Sequence, residues 1–288
     1  MNPTEAQDAD IAYCIEEIRR DDRDRYLTTL LAPSGSRAAL AVLYAFKLEV
    51  EKTHAVVSEP LLGQIRLQWW RDSLDGIYAG TPLRHAVVTP LARVVELRGL
   101  DRGLFDGIID GHERDLDTAP FADMAELGSY CGAVEGSLVA LAMAVLGEPP
   151  QGPRRELARI AGIATGIAGL LRRMAANQRS GPLPVPAEMA STHGLEPGAL
   201  RLVGLGDPRL VAAVGEVVAF AARHLASART HRACAHPSDR AALLPLVVAR
   251  GILARLKNVG YDVSDARVAE PVPGEVWRLA LASLLRRF

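Results

Sequence analysis

The chain has 288 residues, 49% hydrophobic and 23% charged, the makeup of a globular protein with a sizeable core and not of a disordered or low-complexity chain. Lys and Arg (33) nearly balance Asp and Glu (34) for a net charge of −1, so no whole-chain field draws it to nucleic acid or to an acidic lipid surface. Cys14, Cys131 and Cys234 lie far apart with no CxxC spacing, which argues against a disulfide framework or a zinc site and fits a reducing compartment.

The N-terminal stretch MNPTEAQDADIAYC is acidic with no basic residue, unlike a secretory signal or transit peptide. Residues 1–20 are expected to be loosely ordered. From Ser36 to Lys52, Leu40, Leu43, Tyr44, Phe46 and Val50 recur as on one wide helix face. Pro60 to Tyr78 follows with Leu62, Ile65, Trp69, Leu74 and Ile77, and Gly80-Thr81-Pro82 stops it. Further helices are predicted over His85–Arg98, Arg102–Asp115, Met124–Leu146, Arg154–Ala176, Pro208–Arg232, Ala241–Asn258 and Val276–Arg287. No window alternates as a half-buried strand does, and no repeat is present. The punctuated loops are too short to be domain linkers, so the reading is a single all-α domain over residues 1–288. Leu138–Leu146 is apolar throughout but far short of the roughly 20 residues a bilayer span needs, so no crossing is expected. The expected location is cytoplasmic, with at most peripheral contact with the inner membrane.

The segment Pro33–Phe46 (PSGSRAALAVLYAF) resembles the squalene/phytoene synthase family, in which a Pro-x-x-x-Arg turn leads into a helix ending in Tyr-Ala-Phe. The resemblance continues at Trp69-Trp70-Arg71-Asp72, at Asp110-Gly-His-Glu-Arg-Asp-Leu116, at Tyr130–Ser137 and from Gly162 through Leu171-Arg172 to Pro186. It implies an isoprenoid-synthase-like helical bundle with a mostly apolar central cavity. The family's chemistry uses two Asp clusters, each spaced by about one helical turn, that hold Mg²⁺ against a departing diphosphate.

Here the chain departs from the pattern. After Tyr44-Ala45-Phe46, only Glu51 keeps a carboxylate in register, and Ala55 stands one turn later. In the second cluster Arg172 is kept, while Arg173 occupies the place of the first Asp. Upstream, Asp22-Arg23-Asp24 stands where the family has a phosphate-facing Ser-x-Ser. Mg²⁺-dependent condensation is therefore expected to be lost, with no metal site and no cofactor. Mg²⁺ and NADPH enter only if the chain is instead a prenyltransferase with a rebuilt site, whose carboxylates would be Glu51, Asp110, Glu113 and Asp115. The departures are similar to a non-catalytic branch of the family that includes an assembly factor for respiratory complex I, through Ser58-Glu59 and the Gln68-Trp69-Trp70 helix. That likeness implies a protein partner from the respiratory chain, with Trp69 and Trp70 as the contact. An isoprenoid or lipid held in the cavity is the other use of the scaffold, with Arg37, Tyr44, Tyr130, Arg172 and Arg173 as the anion- and ligand-binding set.

Plainer readings stand beside these. Glu49 and Glu51 point to different sides of a helix and suit salt bridges with Lys47 and Lys52. His54 suits a satisfied polar group. Asp106, Asp110, Glu113, Asp115 and Asp117 suit a solvated face. Arg172, Arg173 and Arg179 complement a helix dipole. Nucleotide-binding, hydrolase and nucleic-acid-binding motifs are absent from the sequence.

Overall fold

The computed structural model describes residues 3–53, 60–178 and 181–285, with side chains from residue 8 onward. His54, Ala55, Ser58, Glu59 and Arg179 lie outside the described residues. Five helices build the first part: α1 (Pro3–Asp21), α2 (Arg23–Leu30), α3 (Ser34–Glu51), α4 (Pro60–Tyr78) and α5 (Val88–Arg98). Next come α6 (Arg102–Glu113), α7 (Met124–Cys131), α8 (Ser137–Leu146) and the long α9 (Pro153–Asn177). The last part holds α10 (Ala187–Thr192), α11 (Pro208–Thr230), α12 (Arg240–Leu243), α13 (Pro245–Asn258), α14 (Ala266–Ala269) and α15 (Glu275–Leu284). No strand occurs among the described residues.

Short polar side chains set the helix starts. Asp22 leaves helical geometry (φ −138°, ψ 69°) and its carboxylate accepts the Arg25 amide at 3.2 Å, which separates α2 from α1. Asp101 and Asp123 cap α6 and α7 in the same way; such caps are each worth about 1 kcal/mol. The N-terminal residues expected to be loose instead form α1, which packs on α3 and buries Cys14 and Ile18 completely. One predicted helix, Met124–Leu146, is interrupted by a π-helical turn at Gly132–Gly136. Another, Ala241–Asn258, divides at Pro245, whose ring removes a backbone donor.

Helix α9 is the spine. Leu157, Ile160 and Ala161 belong to one apolar cluster with α3, α4, α6 and α8. Its later residues Ile163, Ile167, Leu170 and Leu171 belong to a second cluster with α11 and α13. Met124–Leu146 and Pro208–Cys234 are in fact long and apolar enough to cross a membrane by length and composition. Here Met124–Leu146 lies largely inside the bundle, and α11 turns Val214, Val217 and Ala221 inward as it packs on α9.

The cavity has a mixed lining, in which Leu48, Tyr130 and Leu170 stand beside charged groups. Beside α3 the interior is filled, with Phe46 edge-on to Trp70 and to Phe105, each at 5.2 Å between ring centres. A cavity of about 500 Å³ opens between α1, α3 and α9, and Asp21, Asp24, Glu51, Lys52, Asp115, Arg172 and Arg173 are among the side chains around it.

Candidate functional site

A lysine within the apolar run LYAFKLEV needs a counter-charge once that face is buried. Lys47 is 3% exposed. Its Nζ lies 2.8 Å from Glu51, one turn later on α3, and 3.1 Å from Glu135 in the π-helical turn. The other Glu135 oxygen accepts from the buried Arg25 of α2, and the other Glu51 oxygen accepts from Arg173 of α9 at 2.9 Å. Both carboxylates therefore have both oxygens engaged by cations of the chain itself. Beside them Arg172 pairs with Asp24 at 2.7 Å, and the Arg25 guanidinium lies over the Tyr44 ring.

Backbone geometry makes this convergence possible. A Cβ on Gly162 of α9 would lie 2.1 Å from the Gly136 nitrogen, and one on Gly166 would press on Cys131 and Glu135. These glycines let the π-helical turn lie directly against α9, which brings Glu135 to the ends of α2 and α3. The inserted residue of such a turn re-aims side chains within an otherwise regular helix.

The electrostatics follow from burial and pairing. Burial pushes the Glu51 carboxyl up, but Lys47 and Arg173 outweigh it and hold the group well below the ordinary range. Burial likewise opposes ionisation of Glu135, yet Lys47 and Arg25 bring it down to about 2. Burial alone would lower Lys47, and the two carboxylates more than reverse this. The result is a set of fixed ions that stay charged against one another.

The sequence-predicted residues separate in space. Glu51, Asp115, Tyr130, Arg172 and Arg173 surround the cavity. Asp115 is 6% exposed, 2.7 Å from His112 Nδ1, so it is not part of a solvated face. Burial, then the nearby Asp115, raises the Tyr130 hydroxyl well above its usual range. Asp110 and Glu113 do not join this group: they lie on the outside of α6, tied to Arg71 at 2.7 and 2.6 Å. Arg37 lies apart from this group: it is exposed, and its Nε donates to the Ala32 carbonyl at 2.8 Å, fixing the turn before α3. Tyr44 is buried beneath Arg25, away from any open surface. Trp70, expected as a partner contact, is 1% exposed, and half-buried Trp69 packs on it and on His85. Consecutive helical positions diverge by about 100°, but the segment at His85 covers the side of α4 that Trp69 occupies.

Sequence reasoning paired Lys47 with the neighbouring glutamates, as the Lys47–Glu51 contact bears out, but assigned no role to Arg25 or Glu135. The available signal was a charge set within an apolar or small-residue run, Lys47 in LYAFKLEV and Glu135 in GAVEGS. Between α3 and α9 the oxygens of Glu51 and Glu135 are each paired with Lys47, Arg25 or Arg173. Among the described residues, no three His, Cys, Asp or Glu side chains are grouped to hold a metal ion.

With this geometry in hand, the sequence model described as squalene/phytoene synthase matches residues 18–273. The chain belongs to the squalene/phytoene synthase family. Relatives in the squalene/phytoene synthase family fall into two kinds. NADH dehydrogenase (ubiquinone) complex I, assembly factor 6, of Mus musculus is 27% identical over 251 residues, 87% of this chain and 75% of that protein. The 15-cis-phytoene synthase of Synechocystis sp. is 27% identical over 274 residues, 90% of this chain and 80% of that protein. Among solved structures, squalene synthase HpnC from Alicyclobacillus acidocaldarius superposes with a TM-score of 0.77 at 18% identity, covering 90% of this chain and 97% of that one. The helical fold described above is thus the fold of the squalene/phytoene synthase family.

Proposed function

We propose that this chain is a non-catalytic member of the squalene/phytoene synthase family that serves as an assembly or binding factor for the respiratory NADH dehydrogenase complex. The observation that carries the reading is the engagement of both oxygens of Glu51 and of Glu135 by Lys47, Arg25 and Arg173. A synthase of this family needs open carboxylates to hold Mg²⁺ on diphosphate; here internal cations neutralise them. The relatives named as complex I assembly factors supply the direction of the proposal.

The test has two arms. Purified protein is incubated with farnesyl or geranylgeranyl diphosphate, Mg²⁺ and NADPH, and diphosphate release is followed. A turnover on the order of 1 s⁻¹ or more, as enzymes typically show, would overturn the non-catalytic reading in favour of a rebuilt synthase site. In parallel, the protein is captured from its own cells and its partners identified. Recovery of NADH dehydrogenase subunits supports assembly; a stoichiometric isoprenoid or lipid with no protein partner sinks it.

A further inference from the structure

Helix α15 is held in place by one side and leaves an apolar side open. Leu279 is 1% exposed, and Val272 just before the helix packs against Gly251 of α13. Glu275, also buried, pairs with Arg23 at 3.1 Å and accepts the Val272 amide at 3.2 Å. At the far end Arg240 donates to the Ser283 carbonyl at 3.2 Å. The helix is thus anchored at both ends and along its inner face.

Its outer face is unlike that of an ordinary surface helix, which is polar. Trp277 is 80% exposed, Leu281 55%, Leu284 78% and Leu285 51%. At about 100° per residue, these four positions fall on one continuous stripe. The exposed charge on α15 is Arg278 at the edge of that stripe, since Glu275 is turned inward. The sequence continues with Arg286-Arg287. A tryptophan-and-leucine stripe edged by Arg278 matches an interfacial helix, where the indole sits at headgroup depth and a guanidinium group meets anionic headgroups. The positive border separates this occupant from a purely apolar protein groove.

We infer that α15 docks this protein on an anionic lipid surface, with Trp277, Leu281 and Leu284 inserted at the interface and Arg278 against the headgroups. This surface lies apart from the ion-paired site and does not depend on the assembly reading.

Flotation with two vesicle types tests it: phosphatidylcholine alone, and phosphatidylcholine mixed equally with phosphatidylglycerol. The protein should float with the mixed vesicles and not with the neutral ones, and added salt should weaken the binding. Trp277→Ser/Leu284→Ser should lower the partition by about tenfold or more, with the helical circular-dichroism signal and Tm retained. Arg278→Glu should weaken binding to the mixed vesicles. Because Trp277 is the exposed indole, the wild-type emission should also shift to the blue on vesicle addition, a readout that stands even if the double variant is unstable. Absence of flotation, equal binding to both vesicle types, or undiminished binding by a folded double variant would overturn the inference. So would a concentration-dependent dimer that the double variant abolishes while the wild type ignores vesicles, since the occupant would then be a second copy of the chain.

Discussion

Lys47, itself buried, stands between two half-buried carboxylates, and its removal leaves both without their shared counter-ion. Breaking a buried ion pair by deleting one partner costs about 3–5 kcal/mol, because the remaining charge is uncompensated. Lys47→Met should therefore lower stability by that order in urea unfolding, and adding Glu135→Gln should recover part of the loss. A Lys47→Met protein as stable as wild type would show that the network carries no net charge burden. The pH dependence has a definite sign. Glu135 is held at about 2, against an ordinary value of 4.5, so its contribution is complete above the ordinary value and is lost as pH falls through about 2. Urea midpoints should decline from about pH 5 downward, and Glu135→Gln should flatten the decline; an identical slope in that variant would sink the argument. At this scale Glu51, Arg172 and Arg173 were legible, because a known motif spacing framed them. Arg25 and Glu135 were not, since they pair across 110 residues and no local pattern announces such a contact.

Among the elements, the π-helical turn against α9 is the most demanding. Gly162→Ala places a methyl group 2.1 Å from the Gly136 backbone, where no flexible side chain gives way. Overpacking of that kind costs typically about 1–3 kcal/mol, and displacement of Glu135 should add to it, so a fall in Tm is expected. Gly35→Ala in the first turn of α3 has nothing within 4 Å and serves as the control: its Tm should hold or rise slightly, as helix propensity favours alanine. Equal Tm changes for the two would show that the close approach has no energetic weight. Helix periodicity marked the end of α4 correctly at Tyr78, since a Gly-Thr-Pro stop follows it. It missed α1 and α2, where charged residues dilute the apolar stripe, and it missed the π-helical turn, which leaves no compositional trace.

For the molecule as a whole, α9 contributes to both apolar clusters, so damage to either should be felt by the same cooperative unit. Leu74→Ala in the first cluster and Leu256→Ala in the second each remove a fully buried side chain. Each should cost about 2–5 kcal/mol, and in scanning calorimetry each should shift one common transition downward. Two transitions, each answering to one variant alone, would show the clusters to be independent. The all-α architecture was readable because a 3.6-residue period persists along nearly the whole chain. The packing of Phe46 against Trp70 and Phe105 was not readable, because periodicity tells which side of a helix is buried and not which neighbouring ring meets it.

The chain of ion pairs from Arg25 to Arg173 also constrains how this protein is able to change over evolutionary time. Replacing Arg173 by aspartate, in the direction of a metal-binding sequence, would set a third acid beside Glu51 and Glu135 before any partner had adjusted. Removing Lys47 first would strand the same two groups. Every single step between an ion-paired site and a metal-binding one passes through an intermediate with unbalanced buried charge, less stable than either end. Such a valley acts as a ratchet: lineages on one side accumulate substitutions suited to that side, and crossing requires coordinated replacements on three separate helices.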